Sequence, residues 1–111
     1  MARVEEYRGY IQQVLEKYGS YKPAYGDVEV ETIFDIERDH YQLVSVGWNG
    51  QQRVYGCVLH LDIKNSKIWV QHDGTEIGIT NELVALGVPK EDIVLGFHAP
   101  YKRQYTGFAV N

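Results

Sequence analysis

Histidines and carboxylates are the side chains of this sequence with the clearest chemical potential. His60 and Asp62 lie two residues apart, and His72 and Asp73 close the next apolar stretch. A tight turn between two strands would let His60 and His72 approach each other. Imidazole and carboxylate are zinc-type ligands, so the matching activity would be a metal-dependent hydrolase or nuclease. Compact ligand spacings such as CxxC or HExxH are absent, and outward polar positions on a sheet explain the same residues, so no metal site is expected. Asp27, Glu29, Glu31, Asp35, Glu37 and Asp39 crowd one short stretch. Paired carboxylates can exchange protons or hold Mg²⁺, but a solvated or partner-facing acidic edge has the same appearance and is the expected reading. Cys57 is the single cysteine, set in an apolar run without a neighbouring base. It is expected to be a small buried hydrophobe rather than a nucleophile. Gly74-Thr75-Glu76-Ile77-Gly78 lacks the lysine of a P-loop and the third glycine of a dinucleotide fingerprint, and reads as a loop entering a helix. No catalytic or cofactor-binding residue is therefore expected.

The C-terminal stretch His98–Phe108 alternates aromatic and cationic residues. Such side chains stack on bases in single-strand binders and dominate protein interfaces, and they also pack a tail back over a sheet. The candidate partner-binding residues are Glu29 and Glu31 in the acidic stretch and Tyr101, Lys102, Arg103, Tyr105 and Phe108 in the tail.

The elements that would position these groups are readable from periodicity. Val4, Tyr7, Ile11, Val14 and Tyr18 form one helical stripe over about residues 2–18, with Leu15 widening it and Gly19 and Ser20-Tyr21-Lys22-Pro23 stopping it. Val28, Val30, Thr32 and Phe34 alternate with polar neighbours as a strand does. A second strand runs from Tyr41 to Trp48, and Asn49-Gly50 is a strong hairpin signal. The third, about Arg53–Ile63, is expected to place Tyr55, Cys57, Leu59, Leu61 and Ile63 on one face and Val54, Val58, His60 and Asp62 on the other. Lys64-Asn65-Ser66 turns the chain into a fourth strand, Lys67–His72. Connections this short require an antiparallel meander of about four strands, with the N-terminal helix on one face. Beyond it, Thr80 is expected to cap a short helix that Gly87 ends, and Pro89 to open a further turn. Ile93–Phe97 reads as a short strand or packed extended segment, followed by an irregular tail. The fold class is α+β.

With 111 residues the chain is one domain, 1–111, and its hydrophobic and charged fractions of 44% and 23% are those of an ordinary globular protein. No apolar run is long enough to span a bilayer, and the first residues lack a signal-peptide core, so a cytoplasmic location and no membrane partner are expected. A net charge of −4 argues against a protein that grips a phosphate backbone unaided. The acidic middle and the basic end, Lys102-Arg103, suit docking to another macromolecule. An exposed aromatic tail and a meander with two edges are compatible with self-association.

The chain resembles the XisI family. The resemblance runs through Tyr21–Glu29, Asp39–Val44, Gly47-Trp48, Arg53–Cys57, His60–Ile63 and Lys67–Gln71, then Gly87–His98, Lys102-Arg103 and Phe108–Val110. It covers nearly the whole chain. It implies a small α+β controlling factor for excision of the fdxN element, which assists a separate site-specific recombinase during heterocyst differentiation in cyanobacteria. It further implies a non-enzymatic accessory role through a XisH-like, nuclease-fold partner, with only indirect association with DNA, and it transfers no catalytic residue. The alternative is direct nucleic-acid binding through the basic-aromatic tail.

Overall fold

The stripe Val4, Tyr7, Ile11, Val14 and Tyr18 forms one face of α1 (Ala2–Gly19) in the computed structural model, which describes residues 2–21, 26–75 and 78–111. Tyr7, Ile11, Val14 and Leu15 are buried against the sheet. Three polar contacts pin the helix along its length. Tyr7 donates a hydrogen bond to Asp92. Arg8 reaches both carboxylate oxygens of Asp39 at 2.8 and 3.1 Å. Lys17 meets Glu82 at 2.7 Å. No described helix is long and apolar enough to cross a membrane.

The sheet has five strands in the order β1 (Asp27–Asp35), β2 (His40–Asn49), β3 (Gln52–Lys64), β4 (Lys67–Asp73) and β5 (Ile93–Leu95). The predicted four-strand antiparallel meander is present. The fifth strand lies parallel to β4, with Ile68 opposite Ile93 and Val70 opposite Leu95. A parallel neighbour needs a long crossover, which α2 (Ile79–Leu86) and a 3₁₀ turn at Lys90–Asp92 supply. The Asn49-Gly50 signal marks the right hairpin: Asn49 faces Gln52 across a two-residue loop, and Gly50 takes φ 62°. At the next hairpin Asn65 and Ser66 both adopt left-handed φ values, 53° and 62°.

Two expectations need correction. Thr80 does not cap α2; it lies inside the helix, whose N-cap position is Gly78. The capping work comes from upstream, where Asp73 accepts from Ile79 N at 2.8 Å and Thr75 Oγ1 accepts from Gly78 N at 3.2 Å. A carboxylate several residues back can satisfy the orphan N–H groups when the chain folds over itself, so the nearest threonine is not required. Gly87 ends the helix in the left-handed conformation, as expected. Lys22-Pro23 of the predicted stop after α1, and Glu76-Ile77 of the glycine loop, lie outside the described residues.

The second correction concerns β3. Its alternation does not run unbroken from Tyr55 to Ile63. A β-bulge places two residues of β3, Val58 and Leu59, against the single step Val44–Leu43 of β2. One extra residue reverses the phase of everything on one side of it. Leu59, Leu61 and Ile63 are buried and Val58 packs beside them, whereas Tyr55 is 72% exposed. Cys57 is therefore exposed rather than buried. Its thiol pKa is raised by burial of part of the group, against a weaker opposing contribution from the Leu59 backbone. Alkylation of Cys57 by iodoacetamide, followed by mass spectrometry, is expected to be no more than about tenfold slower in the native than in the urea-unfolded protein. A hundredfold protection would mean that Cys57 is a core residue after all.

Candidate functional site on the open face of the sheet

The sheet has two unlike faces. The inner face carries Tyr41, Leu43, Leu59, Leu61, Ile63, Ile68 and Val70 against α1 and α2. The outer face is built by the alternate residues: Glu29, Glu31, Ile33 and Asp35 of β1 sit opposite Val46, Val44, Gln42 and His40 of β2. Those in turn face Tyr55, Cys57, His60 and Asp62 of β3.

The C-terminal segment covers only one end of this face. Its 3₁₀ helix, Pro100–Tyr105, brings Arg103 over the ring of Trp69 at 5.1 Å, while Lys64 approaches the same ring at 4.5 Å. Arg103 also donates to His98 O at 3.1 Å, and Ala109 bridges to Val94, which is fully buried. Over β1–β3 the outer face stays open, with Ile33, Trp48 and Tyr55 each about half or more exposed. Arg53 lies between two of these rings, 5.3 Å from Trp48 and 5.9 Å from Tyr55.

The predicted partner-binding residues fall on two regions of this architecture. Glu29 and Glu31 are exposed on β1, the edge strand. Tyr101, Lys102 and Tyr105 are exposed on the 3₁₀ helix. Arg103 and Phe108 are half-buried; Arg103 is engaged by Trp69 and backbone carbonyls, and Phe108 packs on the core with Lys90 over its ring.

Between the regions, a polar cluster sits in an open depression of about 430 Å³ lined by Ile33, Asp35, His40, Gln42, His60 and Asp62. Asp62 is the buried charged residue of the described chain, 6% exposed. Its Oδ1 lies 2.8 Å from His40 Nδ1 and 3.0 Å from His60 Nε2, and its Oδ2 accepts from Gln71 Nε2 at 3.2 Å. Gln42 Nε2 stands 3.4 Å from the other ring nitrogen of His60. His60 and His72 are opposed in register, as the sequence suggests, but the ligand atoms that converge are those of His40, His60 and Asp62.

Sequence reasoning missed His40. Counting back from the Gly50-Gln51 loop in strict register puts His40 opposite Leu61. The bulge at Val58 moves it opposite Asp62. The only signal available was the two-residue loop, and it is insufficient without the bulge.

Comparison with known proteins places the whole chain. The sequence pattern of the XisI protein family matches residues 1–110. The chain belongs to the XisI family. A XisI-like protein from Anabaena variabilis has a crystal structure that superposes with a TM-score of 0.92 at 49% identity, covering 97% of this chain and 99% of that one. The fdxN element excision controlling factor XisI from the same organism superposes with a TM-score of 0.85 at 38% identity, covering 98% and 99%. No curated protein matches. The resemblance drawn from the sequence is thus confirmed at the level of family and α+β fold. Coverage of nearly the full length on both sides means that the sheet and the C-terminal segment of this XisI-family chain belong to the shared fold.

Proposed function

We propose that this protein is a non-enzymatic accessory factor in site-specific excision of a DNA element of the fdxN type, acting by binding a XisH-like, nuclease-fold partner in the cytoplasm. Kinship with an excision controlling factor supports the process. The observation that carries the mode of action is the half-open outer face of the sheet, where exposed Ile33, Trp48 and Tyr55 adjoin the acidic edge of β1. Aromatic residues and a guanidinium surrounded by charge are the composition of a protein-docking surface. The acidic edge complements a partner that itself carries positive charge toward DNA, and so steers its approach. Edge-strand acids also discourage indiscriminate strand pairing, which keeps this face for a specific partner.

The test is capture of a XisH-like protein by the double variant Glu29→Lys/Glu31→Lys and, separately, by Tyr101→Ala/Tyr105→Ala. All four residues are exposed, so each variant is expected to melt as the parent does. The charge reversal is expected to weaken capture by about tenfold or more, with a slower association at low salt. Parental affinity in both variants would remove the two surfaces from consideration. Direct nucleic-acid binding would rest on Arg53 beside Trp48 and Tyr55 and on Tyr101, Lys102 and Tyr105 of the tail, because Arg103 is engaged within the fold. It predicts a DNA mobility shift that weakens steeply with salt, a result the docking reading does not produce from the protein alone.

A further inference from the structure

Asp62 is treated differently from the other enclosed carboxylates. Asp35, Asp39, Glu82 and Asp92 each face an arginine or lysine: Arg38, Arg8, Lys17 and Arg3 respectively. Asp73 accepts backbone N–H groups at the start of α2. Asp62, more buried than any of them, meets two imidazoles and a primary amide. An anionic carboxylate withdrawn from water needs compensating positive charge, which no described arginine or lysine supplies to Asp62. A divalent cation does.

The geometry suits one. His40 Nδ1, His60 Nε2 and Asp62 Oδ1 lie within 4.8 Å of one another, two of the separations being 2.8 and 3.0 Å. Ligand atoms of a tetrahedral zinc ion are ~3.3 Å apart, because each metal bond is about 2.0–2.1 Å. A small outward movement of the rings therefore opens the cavity an ion requires, and His40, half-exposed, borders solvent. His40 and His60 project from adjacent strands onto the same face as Asp62, so one rigid sheet supplies all three. Gln42, beside His60 Nδ1, is placed to accept the ring proton that metal ligation through Nε2 requires, once its amide turns to present oxygen. The three ligands line an open depression together with Ile33, Asp35 and Gln42, which leaves a fourth position toward solvent.

We propose that His40, His60 and Asp62 form a binding site for a single divalent transition-metal ion of the zinc class, with three protein ligands and one open position. Two imidazoles and one carboxylate favour such an ion over Mg²⁺ or Ca²⁺, which take all-oxygen sets. The proposal does not rest on the docking reading, and Ile33 is the residue the depression shares with the docking face.

The test uses untagged full-length protein stripped with chelator and titrated with Zn²⁺ by calorimetry, then with Co²⁺ by visible absorption. One Zn²⁺ per chain is expected, with micromolar or tighter affinity, together with a Co²⁺ ligand-field band that millimolar Mg²⁺ does not remove. His40→Ala and His60→Ala are each expected to weaken Zn²⁺ binding by about a hundredfold or more, and Gln42→Ala by about tenfold. His72→Ala and His98→Ala are expected to bind as the parent does. His40 is half-exposed, so His40→Ala should melt like the metal-free parent and separate loss of metal from loss of fold. Failure to bind one Zn²⁺, displacement by Mg²⁺, or binding that survives both His40→Ala and His60→Ala would overturn the proposal.

Discussion

Gly47→Ala is expected to destabilise the protein by about 3 kcal/mol or more, a large share of a domain's total stability. A Cβ at position 47 would sit 2.1 Å from Asp27 O and 2.6 Å from Val28 Cα. Both are backbone atoms of the neighbouring strand, directly opposite in register, so no rotamer change relieves the clash. The β1–β2 ladder must separate there, exposing its hydrogen bonds and loosening the edge strand that carries Glu29 and Glu31. Gly56→Ala is the matched control: its added Cβ meets nothing within 4 Å. It should be neutral or slightly stabilising, since alanine gives up less freedom on folding than glycine. Urea unfolding of both variants decides the matter. A Gly47→Ala protein within 1 kcal/mol of the parent would mean that the two strands are not this close.

Tyr41→Ala should cost about 4 kcal/mol, as removal of a fully enclosed aromatic ring does. Tyr41 is 0% exposed, lies against Phe34 with ring centroids 5.8 Å apart, and donates to Asp39 Oδ1 at 3.0 Å. Tyr41→Phe keeps the ring and should cost only about 1 kcal/mol, because Arg8 still holds Asp39. The two variants also differ at high pH. Burial, followed by the Asp39 carboxylate, pushes the Tyr41 phenol up to about 12. A raised folded-state pKa means that the neutral phenol is the form the fold favours. Its contribution is complete below the ordinary phenol value near 10 and is lost as pH climbs toward 12. Tyr7, raised by burial and Asp92, and Tyr18, raised chiefly by Glu82, behave likewise. The parent should therefore lose stability across pH 10 to 12 more steeply than Tyr41→Phe. Equal slopes in chemical denaturation at those pH values would show that Tyr41 is free to ionise in the folded state.

The helix and the meander were legible because their signals are local. Five apolar residues at helical spacing bury one face of α1, and Asn49-Gly50 and Asn65-Ser66 mark hairpins whose strands are adjacent in sequence. Short connections leave antiparallel pairing as the only geometry. The fifth strand was ambiguous for the opposite reason. Ile93-Val94-Leu95 is a three-residue strand that pairs with β4 only through a crossover, and nothing local distinguishes it from packed coil. Thr80 failed as a cap because the helix already begins at Ile79, whose N–H Asp73 reaches from the end of β4.

The sequence by itself determined the family, the helix α1 with its buried stripe and the order of the four meander strands, since each depends on patterns carried by neighbouring residues. Only the tertiary structure decided which side chains meet on the outer face. Phase in a strand has period two, so a single inserted residue exchanges the faces, and the bulge at Val58 is visible only in the register between β3 and β2. That one residue brings Cys57 out to solvent and carries His40 from a place opposite Leu61 to a place opposite Asp62.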